Sequence, residues 1–134
     1  GGGMVERVGG EIAEPGAASP QLGDRPRIDH KRVHWRALVL PDRGAKIPGH
    51  VVDVAYGNMR LVSRYSFAVG SRLNLAVFVP DVLNEGKCVV TQVAGEVTYQ
   101  VMHGDEVQTG LSVNVADLPD ATVKTISAAI DANI

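Results

Sequence analysis

Apolar and polar residues alternate along most of the chain after residue 32, and this period of two is the feature that most restricts the fold. In RLNLAVFVP, residues 72–80, the leucines and valines at odd positions would share one face of a strand. Segments with Gly, Asn, Asp or Pro separate such stretches, so consecutive strands are expected to pair antiparallel. The pattern predicts about six strands, at 33–40, 50–56, 59–64, 72–80, 87–102 and 106–115.

The last eighteen residues change to a helical period. In residues 117–134, Asp117 is expected to cap the helix and Pro119 fits its first turn. The apolar positions at helical spacing are Val123, Ile126, Ile130 and Ile134. Together with the strands this predicts an all-β domain, a six-stranded antiparallel β-barrel with a C-terminal α-helix that closes one opening or edge. Closure would also remove the edges that an open sheet exposes.

Two segments of the sequence depart from a simple strand or helix pattern. The long stretch 87–102 is predicted to be two strands or one bent strand, with Gly95 at the bend. Residues 4–24 mix Gly, Pro, Ala, Ser and acids without a period, which is typical of a flexible arm. The Gly-Gly-Gly before Met4 is typical of a cloning remnant, so residues 1–24 are assigned to remnant and disordered arm and 25–134 to the domain.

Composition excludes several classes of function. The net charge of −2 gives no overall attraction to DNA or RNA, and no run approaches the roughly 18 apolar residues of a membrane span. The one cysteine, Cys88, forms no intrachain disulfide or Cys-based zinc site and is expected in the core. No signal-peptide core is present. A cytoplasmic protein without metal, cofactor or membrane insertion is therefore expected.

Positive charge is concentrated between residues 25 and 36. In a strand over RVHWRALV, residues 32–39, Arg32, His34 and Arg36 would share one face, while Trp35 would turn to the core. Arginine suits bidentate contact with phosphate and stacking on a purine. A solvated basic face is the alternative interpretation.

The stretch DVAYGNMRL, residues 53–61, is typical of a hairpin whose turn lies at Gly57-Asn58. Asp53 lies close to this turn. A carboxylate there can accept hydrogen bonds from the N1–H and N2–H₂ groups of a guanine. The alternative is that Asp53 only hydrogen-bonds its own turn.

Read together, these two stretches resemble the PilZ domain family. Its Arg-x-x-x-Arg motif is matched by RVHWR, residues 32–36, preceded by Lys31. Its Asp/Asn-x-Ser-x-x-Gly motif corresponds to DVAYGN, residues 53–58. The stretches GSRLNLAVFVP, GEVTY and TGLSV also look like the family's later strands, so the resemblance covers about residues 25–134.

The resemblance implies a fold, a ligand and a set of binding residues. PilZ domains are six-stranded antiparallel barrels that typically bind the bacterial second messenger cyclic di-GMP. By resemblance, Arg32 and Arg36 would contact phosphates and guanine edges, and Asp53 would read a guanine. Arg27 and Lys31 could add phosphate contacts. No catalytic constellation is apparent, so the chain is not expected to be an enzyme.

The second motif departs from the family at two positions. Ala55 replaces the serine, which removes a hydroxyl hydrogen bond, and Asn58 replaces the final glycine and adds a side chain. If each change costs about 1 kcal/mol, affinity would fall roughly tenfold or more. The charged contacts would remain.

The predicted function is a bacterial cyclic di-GMP receptor or adaptor. Ligand would order the N-terminal arginine arm and alter contact with a protein partner in a motility, adhesion or exopolysaccharide pathway. The alternative is a degenerate PilZ domain that does not bind the dinucleotide and acts as a protein-interaction module. A barrel that binds single-stranded nucleic acid is a third, weaker hypothesis, because six aromatic residues provide few stacking platforms.

Overall fold

The computed structural model describes residues 31–134, and the predicted arm, residues 1–24, lies outside this range. Six strands and one α-helix follow in chain order. They are β1 (Lys31–Val39), β2 (Ile47–Ala55), β3 (Asn58–Ser63), β4 (Arg72–Pro80), β5 (Cys88–His103), β6 (Glu106–Ser112) and α1 (Asp120–Asp131). The number of strands and the C-terminal helix agree with the sequence-based prediction.

The six strands form one antiparallel sheet that closes into a ring. Its hydrogen-bonded order is β1-β2-β3-β6-β5-β4, and β4 pairs back onto β1 through Ala37–Val77, Leu38–Ala76 and Val39–Leu75. Short turns join β2 to β3 and β5 to β6, as expected for antiparallel neighbours. Because the ring closes, each strand has a partner on both sides over part of its length.

The interior of the ring is filled by the apolar face that the alternation predicts. The odd-numbered leucines and valines of β4 are buried there, and so is Trp35 of β1, which is 2% exposed. The prediction that Trp35 turns to the core is confirmed. Its indole N–H donates a hydrogen bond to the carbonyl of Ile134 at 3.3 Å, which links β1 to the chain end beyond α1.

The helix is shorter than predicted, and only part of its predicted apolar face contacts the core. A 3₁₀ turn, Val115–Asp117, comes first, and Leu118 is extended because the residue before a proline avoids the α conformation. The α-helix therefore begins only at Asp120, and the prediction that Asp117 caps it is wrong. Its buried residues are Thr122, Ile126 and Ala129. No helix among residues 31–134 is long and apolar enough to cross a membrane.

The stretch predicted as two strands or one bent strand is one continuous strand, β5. Two other predictions about it are wrong. Its irregularity lies between Val97 and Tyr99, whereas Gly95 pairs regularly with Leu73. Gly95 instead allows close approach, since a Cβ there would lie 3.1 Å from the Ser112 carbonyl oxygen. Cys88 is exposed, because it is the first residue of β5 at the edge of the interior.

Candidate functional site

The outer face of β1 carries the basic residues that the alternating sequence pattern predicts for one face of this strand. Arg32, His34 and Arg36 are exposed, and the alternate residues Val33, Trp35 and Ala37 turn inward. Lys31, also on β1, is partly buried and pairs with Val54 of β2. Arg27 lies outside the described residues.

A β-bulge in β2 determines where Asp53 lies. The pairing of β2 with β3 shifts register between Val51 and Asp53. An extra residue in one strand shifts all later side chains to the other face. Val51 and Val54 are therefore both in the core although they are three positions apart. Asp53 lies on the outer side of the ring, where its carboxylate reaches Arg60.

Register then aligns three charged residues across neighbouring strands. Arg32 of β1 pairs with Asp53 of β2, and Asp53 pairs with Arg60 of β3. The Asp53 Oδ2 atom is 3.4 Å from Nη2 of Arg60. Asp53 is only 7% exposed, so this carboxylate is largely sheltered from water between two arginine positions. A carboxylate next to guanidinium groups provides both acceptors and donors at one place.

The row of paired residues formed by Arg32, Asp53 and Arg60 continues across the sheet. Arg60 pairs with Gly110 of β6, and Gly110 pairs with Tyr99 of β5. The ring of Tyr99 lies over Gly110, because a Cβ built there would stand 2.5 Å from Cδ2 and 2.6 Å from Cζ of that ring. Tyr99 is nevertheless 41% exposed. The hydroxyl of Thr98 donates to the Gly110 carbonyl at 3.2 Å, which further fixes this part of β5.

A groove of about 220 Å³ lies along this row, and we call it the row groove. Its walls combine the Asp53–Arg60 pair on one side and the Tyr99 ring on the other. The remaining lining residues are Ala55, Asn58, Met59, Thr98, Gly110 and Leu111. The groove therefore has a carboxylate, a guanidinium and an aromatic ring within one small space.

The β2–β3 hairpin forms one end of the row groove. Its two loop residues are Tyr56 and Gly57, because Asn58 already pairs with Ala55 as the first residue of β3. The predicted turn at Gly57-Asn58 is thus displaced by one residue. Gly57 has a φ of 83°, a value that favours glycine. Ala55 and Asn58 also line an apolar cavity of about 340 Å³ between the hairpin and α1.

Arg36 is directed away from the row groove. Its guanidinium carbon lies 4.7 Å from the centre of the Phe78 ring, on the β4 side of β1. Arg36 lies four positions after Arg32, which corresponds to about 13 Å along an extended strand. The structure therefore brings Arg32 and Asp53 together by register but does not bring Arg36 to them.

A pair of stacked histidines lies near Arg36. The rings of His34 and His50 are 4.4 Å apart between centres and inclined by 19°. His50 is the β2 partner of Arg36 in the register. Among the described residues, no three His, Cys, Asp or Glu side chains are grouped so that they could hold a metal ion.

Sequence reasoning missed four residues of this surface: Arg60, Tyr99, Gly110 and His50. Along the chain, Arg60 is one half of a second Arg-x-x-x-Arg pair with Arg64. A signal for Arg60 was present, since a polar residue between the apolar Met59 and Leu61 must point outward beside Asp53. No local signal identifies Gly110 as the partner of Tyr99.

Comparisons with known proteins support the fold and do not establish a family. No family model matches the chain, and no curated protein matches its sequence. A solved structure, the inhibitor of motility MotI/DgrA of Bacillus subtilis, is similar with a TM-score of 0.63 and 13% sequence identity. The alignment covers 83% of this chain and 52% of that protein, so this chain spans about half of its length. At this identity the likeness concerns the fold alone.

Proposed function

We propose that this chain is a cyclic di-GMP receptor of the PilZ type that binds the dinucleotide on the outer face of β1, β2 and β3. The observation that carries the proposal is the alignment of Arg32, Asp53 and Arg60 across those strands. Cyclic di-GMP has two phosphates, which need cationic donors, and two guanines, which need an acceptor for N1–H and N2–H₂. The row supplies both kinds of group side by side.

Each residue has a role set by its position. Asp53, sheltered from water, accepts from a guanine, because a hydrogen bond to a charged group is stronger than one between neutral groups. Arg32 is exposed beside it and can donate to a phosphate. Lys31 and Arg27 are proposed as further cations at the N-terminal side. Ala55 and Asn58 border the groove and modulate affinity rather than supply charge.

In the proposed complex, the Arg36 side chain leaves the Phe78 ring and binds a phosphate. A cation–π contact at an exposed site stabilises by about 0.5–1 kcal/mol. A charge-assisted hydrogen bond contributes roughly 1.5–3 kcal/mol, so an incoming phosphate can draw the guanidinium away. This movement would change the surface formed by Arg36 and Phe78. We propose that such a change alters contact with a protein partner.

Two further observations are consistent with the proposal. The closed ring of six antiparallel strands has the strand number and pairing of a PilZ barrel. The similar solved structure is an inhibitor of motility, which supports a motility pathway as one setting for the proposed adaptor. A bacterial cytoplasm is the compartment that a second-messenger receptor requires, and the proposal includes no catalytic step.

Calorimetric titration with cyclic di-GMP tests the proposal. Arg32→Ala, Arg36→Ala and Asp53→Asn should each lose most of the affinity, and the fluorescence of Trp35 should show that they remain folded. Arg64→Ala is the matched control, since its side chain is 75% exposed and contacts Asp105 at 3.7 Å, away from the row groove. Absence of heat with tens of micromolar wild-type protein would refute the proposal.

A second candidate function is a protein-interaction module that has lost the ligand. It is favoured by Ala55 and Asn58, and by the contact of the Asp53 carboxylate with Arg60 of the same chain. Amide resonances of residues 31–36 and 53–60 distinguish the two functions. They should shift on addition of the dinucleotide if the chain is a receptor and stay unchanged if it is only an interaction module.

A further inference from the structure

We infer that Arg60 and Tyr99 form the base-recognition subsite of the row groove, with Tyr99 as the stacking platform and Arg60 as the residue that selects guanine over adenine. This inference rests on the proposed function and deepens it. It assigns roles to two residues of the groove that belong to neither sequence motif. Both line the groove together with Asp53.

Tyr99 has the geometry of a platform. One ring face lies against the backbone of Gly110, where no side chain intervenes, and the residue is still 41% exposed. Contact with Gly110 on one side leaves the opposite ring face available to a base. An aromatic ring held in this way stacks any base, because every base has a π-face. Tyr99 should therefore contribute affinity without distinguishing guanine from adenine.

Arg60 and Asp53 together match the edge of a guanine. The Asp53 carboxylate lies 3.4 Å from the Arg60 guanidinium, so an acceptor and a donor stand side by side. Guanine presents N1–H and N2–H₂ donors next to its O6 acceptor, and its N7 acceptor follows. Arginine is the usual bidentate partner of O6 and N7.

Adenine reverses this pattern at the critical position. It carries an N6–H₂ donor where guanine has O6, and this donor would face the N–H groups of Arg60. Adenine also lacks the N1–H and N2–H₂ groups that Asp53 would accept. Arg60 therefore both attracts guanine and disfavours adenine.

The test compares cyclic di-GMP with cyclic di-AMP, which share the sugar-phosphate ring, so contacts to phosphate cancel in the affinity ratio. Wild-type protein should prefer cyclic di-GMP. Arg60→Gln should lower that preference about tenfold or more, the range expected for loss of one bidentate contact. Arg60→Lys keeps a positive charge beside Asp53 but not the planar fork, and it should also lower the preference.

Tyr99→Leu should give a different signature. Affinity for both dinucleotides should fall by a similar factor of about ten, with their ratio unchanged, whereas Tyr99→Phe should bind like wild type. Tyr65→Leu is the matched control, since Tyr65 is 54% exposed and is not among the lining residues of the groove.

The outcomes separate the inference from the proposed function. If wild-type protein binds neither dinucleotide, the proposed function fails and the subsite fails with it. If wild-type protein binds cyclic di-GMP and both Arg60 variants keep its full preference, the role of Arg60 is wrong while the proposed function stands. If Tyr99→Leu binds as tightly as wild type, the stacking role is wrong in the same way.

Discussion

The contact between the Tyr99 ring and Gly110 predicts that a single methyl group will have opposite effects on stability in two backgrounds. In the wild-type chain, a Cβ at residue 110 would lie 2.5 Å from Cδ2 and 2.6 Å from Cζ of Tyr99, and closer still to Cε2. These separations are far shorter than van der Waals contact. The ring must therefore leave Gly110 when alanine is introduced there.

The cost of that displacement follows from what the ring loses. One face of an aromatic ring covers roughly 40–60 Å² of apolar surface, which corresponds to about 1–1.5 kcal/mol at 25 cal/mol per Å². A lost cross-strand pair adds about 0.2–1 kcal/mol. Because exposed Tyr99 can rotate into solvent, the backbone need not shift. Alanine in a strand gains about 0.5–1 kcal/mol over glycine, which offsets part of this loss, so Gly110→Ala should destabilise the wild-type chain by about 1 kcal/mol.

The effect of Gly110→Ala on stability should change sign when the Tyr99 ring is absent. Among the described residues Gly110 is not one of the glycines with positive φ, so alanine can adopt its backbone conformation. Replacing a strand glycine by alanine then stabilises by about 0.5–1 kcal/mol, because the unfolded chain loses freedom. In the Tyr99→Ala background, Gly110→Ala should therefore increase the free energy of unfolding. The coupling between the two substitutions should be about 2 kcal/mol.

Urea unfolding of the four proteins measures this cycle. Trp35 is the sole tryptophan and is buried in the ring, so its fluorescence reports loss of the core. The unfolding slope should be the same in all four proteins, because the surface exposed on unfolding changes little. If Gly110→Ala costs the same in both backgrounds within about 0.5 kcal/mol, the ring does not lie on Gly110 and the reasoning is refuted.

Two further predictions concern other parts of the ring. Gly49→Ala should destabilise the folded chain by about 1–3 kcal/mol, whether or not Tyr99 is present. The added Cβ would lie 2.7 Å from the backbone oxygen of Val62, which cannot rotate away. Urea unfolding measures this cost, and a rescue of stability by Tyr99→Ala would contradict the prediction. The Asn84 side chain hydrogen-bonds Asp81 and holds the pKa of its carboxyl below the usual 3.8. The associated stability is present above pH 3.8 and is lost as pH falls through the lower folded-state pKa. A carboxyl NMR titration should show the lower midpoint, and Asn84→Ala should raise it; an unchanged midpoint would contradict that role.

Periodicity was sufficient to predict strands such as β4, because its inward leucines and valines at every second position remove apolar surface from water. It was insufficient for the helix, where Leu118 and Pro119 impose a local backbone restriction before the amphipathic pattern can begin. Periodicity also gave the wrong burial for Cys88, which is exposed. The residues that directly follow it in sequence are apolar, but the sequence does not show that this end of the strand extends beyond the core.

The charged site shows a different limit, because it depends on register between strands. Strict alternation from Val51 would direct Asp53 inward, where an unpaired carboxylate would cost several kcal/mol. The bulge resolves this conflict by placing Val51 and Val54 in the core and Asp53 outside. A spacing of three between two core valines with an aspartate between them is a sequence signal for such a bulge.

Arg60 illustrates why the rest of the site could not be predicted from spacing. Along the chain it forms an Arg-x-x-x-Arg pair with Arg64 that resembles the motif of Arg32 and Arg36. In the ring, Arg64 is 75% exposed beside Asp105, whereas Arg60 stands opposite the buried Asp53. The same spacing therefore has different meanings on different strands. What gives Arg60 its proposed role is the pairing of β3 with the bulged β2 on one side and with Gly110 of β6 on the other.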